Sequence, residues 1–373
     1  MHIKKDYQRM NKKIALVSRR PCFPLGMGGA EMSSYLLMIR LLKLGFNIKI
    51  VGELLPGNQF VFINEVSKLY PNYSIEYNNH GFILHATKDF SFALATTSGF
   101  YDFATDLLSN YVPDYIFTQL EGCLEMSTFA QKHNIKCIHF LRDSSNPYNF
   151  DILKAQWLNT QEIKFVSNSY YIKKYFIQKH NINSVVSYPL PMHCSCNSHL
   201  TNQDKRNLRL LFINPHQSKG IDIVLKLSEY FNESVEFHIV EGWNKQDLLY
   251  LKDKANLITY NKQTSLCDIY SKCDILLIPS QSHEAFSRVA VEGLHHGLTV
   301  IASEHSGLIE SVGEGGMLVE NYREIKEWVK KIDLILQNRN ILKEYAGKAK
   351  NQLKNIYMND PIDVVVKLMK SEQ

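Results

Sequence analysis

The sequence predicts an α/β protein of two domains, each a parallel sheet covered by helices. Three observations carry that expectation. The chain has 373 residues, more than one ordinary core serves and about right for two. Short apolar runs, such as IALVS at 14–18, DILLI at 274–278 and LTVIA at 298–302, suit buried strands and alternate with stretches of helical spacing. Hydrophobic content is 45% and charged content 21%, so the chain is globular and not disordered.

The first domain is expected over residues 1–190. Ile14–Ser18 is its first strand, followed by a long loop with Pro21, Pro24, Gly26, Gly28 and Gly29. The helix after it places Tyr35, Met38, Ile39 and Leu42 inward and Ser33 and Ser34 outward, and Gly45 stops it. FNIKIVG is the second strand. Residues 54–110, aromatic and rich in asparagine, read as short strands. Asp114–Thr118 is a strand, Glu121–His133 a helix and Lys136–Phe140 a strand, ending in His139, Arg142 and Asp143. Polar residues just beyond a parallel strand point to where ligands bind. Lys164–Asn168, the helix Tyr170–His180 and Ser184–Tyr188 close the domain. That helix reads as an amphipathic surface helix; its three lysines also suit a membrane surface.

Residues 191–207 are the expected linker, polar and without apolar period. His193, Cys194, Cys196 and His199 lie in it, but their spacing fits no structural zinc module. The second domain is expected over 208–355. It opens with the strand Leu208–Ile213, then Lys219-Gly220 and a helix with Ile221, Val224, Leu225 and Ser228 on one face. Val235–Val240, Asn256–Tyr260 and Asp274–Ile278 continue the strands, with helices at Asn244–Lys254 and Thr264–Lys272 between them. Residues 356–373 form a last helix, with Asp360 as cap and Pro361 at its first position.

The stretch Pro279–Gly307 carries the chemistry. Pro279–Ser282 break a strand, Glu284 follows, and a helix begins whose apolar face holds Phe286, Val289, Ala290, Gly293 and Leu294. Gly297 ends that helix. Glu292 lies eight residues after Glu284, or roughly 12 Å of helical rise. Between them the amides around Phe286 and Ser287 open the helix, and that end suits a phosphate. An acid, an anion cradle and a second acid then stand in line, as a nucleotide sugar requires.

These residues resemble the Glu-x7-Glu signature of the retaining glycosyltransferases of family four, whose GT-B fold has two Rossmann-like domains facing a cleft. Pro279, Ser280, Glu284, Phe286, Val289, Glu292, Gly293, Gly297, Val300, Ile301, Ala302, Gly307 and Glu310 match the family pattern. Thr299 stands where proline is usual and Ser306 where the first of two glycines is usual. Gly28-Gly29-Ala30-Glu31 is similar to that family's G-G-(A/S)-E loop; the rival reading, a dinucleotide fingerprint with Glu53 as the ribose acid, lacks the third glycine. Lys219-Gly220 fits the family's Lys-Gly, with Asn214 where an arginine would stand.

The resemblance implies an N-terminal acceptor domain, a C-terminal nucleotide-sugar domain and a last helix that crosses back to the first. It implies a hexosyltransferase with retention at the anomeric carbon, by front-face attack in which the departing diphosphate takes the acceptor proton. Catalytic roles then fall to Glu284, His139 and Asp143. Donor binding falls to Gly28, Gly29, Lys219, Phe286, Ser287, Arg288 and Glu292, with Glu284 on sugar hydroxyls and Glu292 on the ribose. The donor is a UDP- or GDP-linked sugar, UDP by default, and the acceptor a glycan or lipid-linked glycan of a surface polysaccharide or glycoconjugate. No Asp-x-Asp triplet occurs, so no metal and no cofactor are expected. Two other classes stand beside this one: a nucleotide-sugar epimerase on a similar fold, which needs no acceptor, and a non-catalytic scaffold of GT-B type.

Net charge is +5 overall. Residues 1–200 hold 20 Lys+Arg against 14 Asp+Glu, and the remainder 22 against 23. The basic half favours an anionic acceptor or peripheral contact with an anionic membrane, and nucleic acid is not an expected partner. An odd count of seven cysteines suits reduced thiols in a cytoplasm. No apolar stretch reaches a bilayer span and no signal peptide opens the chain, so a cytoplasmic place, including the inner face of the membrane, is expected.

Overall fold

The computed structural model describes residues 11–25, 28–119, 123–144, 163–190, 207–242, 256–262 and 265–371. His193, Cys194, Cys196, His199, Gly26 and the expected helix Asn244–Lys254 lie outside the described residues. The chain divides into two compact units. Met1–Asn168, Ile172–Leu190 and Pro361–Gln373 form the first; Ser169–Tyr171 and Pro191–Asp360 form the second.

In the first unit the chain runs β1 (Lys13–Val17), α1 (Gly29–Lys43), β2 (Asn47–Glu53), α2 (Gln59–Leu69), β3 (Ser74–Tyr77), β4 (Gly81–Thr87) and β5 (Phe90–Ala95). It continues α3 (Phe100–Tyr111), β6 (Tyr115–Gln119), α4 (Cys123–Lys132), β7 (Lys136–Leu141), β8 (Ile163–Ser167), α5 (Tyr170–His180) and β9 (Val185–Val186). The sheet order is β3-β4-β5-β2-β1-β6-β7-β8-β9. Pairing is parallel except at β3–β4 and β4–β5. β1 sits between β2 and β6, so strand order reverses there. Ile14 through Val17 are buried, because helices cover both faces of a parallel strand.

Two expectations are corrected here. Residues 54–110 hold two helices, α2 and α3, besides their strands. Phe62 and Val66 in α2, and Phe100, Phe103, Ala104 and Leu108 in α3, give each helix a buried face at i, i+4 spacing. Ser33 and Ser34 do not face out. Both are buried: Ser33 Oγ donates to the Gly29 carbonyl, and Ser34 Oγ donates to Gln119 Oε1 of β6. A small hydroxyl with a partner fits inside as readily as a small apolar group.

The second unit comprises β10 (Leu208–Ile213), a 3₁₀ turn Gln217–Lys219, α6 (Ile221–Tyr230), β11 (Val235–Val240), β12 (Leu257–Tyr260) and α7 (Cys267–Tyr270). It goes on with β13 (Ile275–Ile278), α8 (Arg288–His295), β14 (Thr299–Ser303), α9 (Ser306–Val312), β15 (Gly316–Val319), α10 (Ile325–Gln337) and α11 (Asn340–Ile356). All pairs in the sheet β12-β11-β10-β13-β14-β15 are parallel. Successive residues of β10 feed opposite cores: Leu208, Leu210 and Phe212 join one face, Leu211 the other.

The last helix, α12 (Pro361–Lys370), belongs to the first unit. Ile362, Val365, Val366 and Met369 enter that unit's core, and the Tyr115 hydroxyl donates to the Met369 carbonyl at 3.0 Å. Lys164 Nζ donates to the Leu368 carbonyl at 3.0 Å, a cation at the negative end of the helix. Cys22 and Cys137 are free thiols, whereas Cys267 is disulfide-bonded, which corrects the expectation of reduced thiols. No described helix is long and apolar enough to cross a membrane.

Trp328 of α10 is fully buried, and its Nε1–H donates to the Tyr322 carbonyl at 2.8 Å. Trp328→Ala therefore removes both a large apolar body and a satisfied polar group. The expected cost is about 3–5 kcal/mol, read as a lower denaturation midpoint of the second unit.

Candidate functional site

In the second unit, β10 is flanked by β11 and β13, so the strand order reverses at the carboxyl ends of β10 and β13. Ligands of open α/β sheets bind at such a reversal. The loops leaving these two strands are clasped backbone to backbone. The Ser218 carbonyl accepts the Gln281 N–H at 2.8 Å and the Ser282 N–H at 3.3 Å. Gly220, at φ +85°, lies against the Pro279 carbonyl with no room for a Cβ.

That clasp places Lys219 beside Glu284. Lys219 Nζ pairs with Glu284 Oε1, and Ser280 Oγ donates to the same oxygen at 2.9 Å. Among the described residues Oε2 accepts no hydrogen bond. The Glu284 side chain is 16% exposed: held in place, yet open to a ligand. Its backbone is fixed too, since the Glu284 carbonyl accepts the Gly307 N–H at 2.8 Å. Lys219 spends one of its three ammonium donors on Glu284 and keeps two more.

Helix α8 begins at Arg288, later than the apolar spacing suggests, with Ser287 as its cap. Ser287 Oγ accepts the Ala290 N–H at 3.2 Å. Phe286 precedes the helix and is buried. Arg288 turns along the helix, and its Nη2 donates to Glu292 Oε1 at 3.0 Å. The Tyr270 hydroxyl donates to Glu292 Oε2 at 3.3 Å. Burial, and next the Glu292 carboxylate, push the Tyr270 phenol well above its ordinary value, so it stays a donor. Glu292 is thus oriented at both oxygens, each of which keeps a second lone pair.

Asn214 and Ser306 share a backbone feature. Asn214 has φ +65° and Ser306 has φ +50°, the left-handed region where glycine is at ease. Asn214 directly follows β10. Its side chain fills the space over Gly242 that a Cβ would need. Ser306 supplies a hydroxyl that accepts the Glu284 N–H at 3.0 Å.

In the first unit, Gly28 caps α1 from extended backbone, and the Glu31 carboxylate folds over it where a Cβ would go. Gly29 opens the helix with nothing within 4 Å of a Cβ. Arg20 and Glu31 pair at 3.7 Å at the carboxyl end of β1. Arg142 Nη2 donates to Ser34 Oγ at 3.2 Å, and the guanidinium lies 4.7 Å from the Phe140 ring centre. His139 is only 3% exposed, with Nδ1 at 2.8 Å from Thr118 Oγ1. Burial, and then the Arg142 charge, lower His139 to about 3, so it is neutral at pH 7. Asp143, beyond the end of β7, is exposed.

The structure brings Lys219 beside Glu284 in the second unit, which also holds Phe286, Ser287, Arg288 and Glu292; Gly28, Gly29, His139 and Asp143 lie in the first. Sequence reading gives Ser280 a place in the motif but no role, and gives no sign of His305 or Tyr270. Ser280 was legible as a hydroxyl four residues before Glu284; Tyr270 and His305 are distant in sequence and left no signal.

Two measurements test this geometry. His139 binds its proton less readily folded than unfolded, so stability falls as pH drops from 6.5 toward 3. His139→Gln is expected to flatten that limb in denaturation midpoints taken across the window. In Gly307→Ala a Cβ would strike the Ala285 and Glu284 carbonyls. That variant is expected to lower the melting temperature by several degrees, read by calorimetry.

Residues 201–352 match the family model described as glycosyl transferases group 1. A curated relative, an uncharacterized 41.2 kDa protein in the cps region of Klebsiella pneumoniae, is 30% identical over 145 residues; the match spans 37% of this chain and 39% of that protein. Among solved structures, a glycosyltransferase from Rickettsia africae superposes with TM-score 0.74 at 17% identity, over 97% of this chain and 98% of its own. Sucrose-phosphate synthase from Thermosynechococcus elongatus gives 0.70 at 13% identity, over 96% and 98%. Anabaena HepE, solved in complex with UDP, gives 0.69 at 16% identity, over 95% and 98%. Residues 201–352 thus resemble the glycosyltransferase group 1 domain, and the fold of two parallel-sheet units matches solved glycosyltransferase structures of GT-B type.

Proposed function

We propose that this protein is a retaining hexosyltransferase that moves a sugar from a nucleoside-diphosphate donor, UDP-linked by default, to a glycan or lipid-linked acceptor. One observation carries the reading: Glu284, anchored through Oε1 by Lys219 and Ser280, presents Oε2 at the strand-order reversal of a group 1 domain. Anabaena HepE, similar in fold, was solved with UDP, with UDP and glucose, and with UDP-glucose.

In this reading each group has a physical task. Glu284 Oε2 accepts donor-sugar hydroxyls and fixes the anomeric carbon. The α8 amides and Lys219 stabilise the charge that grows on the departing diphosphate, by dipoles and a cation already in place. Glu292, oriented by Arg288 and Tyr270, accepts ribose hydroxyls. Gly28 and Gly29 let backbone approach the diphosphate or acceptor without a side chain between. Asp143 contacts the sugar or acceptor. His139, neutral and buried, supports that strand end as a hydrogen-bonding group and not as a cation. The acceptor hydroxyl attacks from the leaving-group side, and the diphosphate oxygen takes its proton. Surface polysaccharide or glycoconjugate synthesis is the setting this chemistry suits.

Glu292→Ala is expected to weaken UDP binding about 10- to 100-fold, read by titration calorimetry. Glu284→Ala is expected to lower kcat by a similar factor with little change in UDP affinity, read as nucleotide release from a donor panel with acceptor. Thermal shifts with UDP, GDP and ADP identify the base. Unchanged kinetics in both variants would overturn the assignment.

A further inference from the structure

Four hydrogen bonds close a ring around Glu284, and two of its members, His305 and Ser306, have no task in the function proposed above. The Glu284 amide donates to Ser306 Oγ at 3.0 Å. Ser306 Oγ lies 2.8 Å from His305 Nδ1. His305 Nε2 lies 2.8 Å from the Ser280 carbonyl. Ser280 Oγ donates to Glu284 Oε1 at 2.9 Å. A carbonyl only accepts, so His305 Nε2 carries the proton, and in the neutral ring Nδ1 accepts from the Ser306 hydroxyl. All donors then run one way around the ring, and each polarises the next.

The ring tethers both ends of one residue. Ser306 fixes the Glu284 peptide, and Ser280, itself held through His305, fixes the carboxylate. The imidazole is held in turn, with the Tyr322 ring centre 4.7 Å away. Ser306 does this from φ +50°, where a side chain is uncomfortable and glycine is not. A serine kept in that conformation contributes a hydroxyl that glycine cannot.

We propose that Ser306 and His305 are positioning residues for Glu284, fixing its peptide and aiming its carboxylate; the inference rests on the role of Glu284 given above. The full-length protein is compared with Ser306→Gly, His305→Phe and His305→Asn. The first readout is amide hydrogen exchange at Glu284 by mass spectrometry, which needs no substrate. Ser306→Gly is expected to speed that exchange roughly five- to tenfold while the melting temperature holds or rises, since strain is relieved. A merely structural serine would instead lower the melting temperature. His305→Phe is expected to speed the same amide, and His305→Asn, whose Oδ1 can accept from Ser306, to recover part of the protection. The second readout is turnover on the donor panel: kcat about tenfold lower in Ser306→Gly, with KM within about twofold. Unchanged Glu284 exchange in Ser306→Gly overturns the ring, and faster exchange with unchanged kcat overturns the positioning role. If the wild-type protein turns over no donor, the transferase assignment falls, and the exchange result alone decides whether the ring exists.

Discussion

Lys219 and Glu284 meet because the chain reverses direction across the sheet. After β10 it adds β11 and β12 on one side, then returns to place β13 on the other. The loops leaving β10 and β13 diverge from that point, and the Ser218 carbonyl fastens them by accepting two amides of the second. Backbone, not side chain, therefore sets the separation of the ion pair. Everything else at this end of the unit elaborates the clasp: the glycine at 220 that lets the loops touch, the Ser280 hydroxyl that adds a second anchor, and the amides that open α8.

Much of this was legible in the sequence because it depends on short-range pattern. Continuous apolar runs mark strands covered on both faces, and β10, β11, β13 and β14 fall within a residue or so of the runs that announced them. Glu284 and Glu292 were legible by spacing along one segment. What escaped depends on contacts between distant residues or on backbone angles. A stretch dense in aromatics and asparagines concealed α2 and α3, whose buried faces rest on only two and four side chains. Ser33 and Ser34 look like surface residues until Gln119, 85 residues from Ser34, supplies an acceptor. Nothing in the sequence marks Asn214 and Ser306 as positions of positive φ.

The two units solve the same topological problem with opposite electrostatics. Around the reversal at β1, polar groups are buried and hydrogen-bonded to one another: Ser34, Gln119 and Arg142 in one chain of contacts, Thr118 and His139 in another. Burial there favours neutrality, as at His139. Around the reversal at β10, charged groups stay partly exposed and paired, Lys219 with Glu284 and Arg288 with Glu292. The first arrangement gives shape and rigidity; the second keeps charge available.

Helix α12 has a consequence for how the protein is made. Its Ile362, Val365, Val366 and Met369 complete a core whose other members begin at Ile14. A ribosome delivers those four side chains only after the whole of the second unit has been synthesised. The unit that emerges first is therefore the last to be sealed, and until then the part of its apolar core that α12 fills stays open while its neighbour already has every strand it needs.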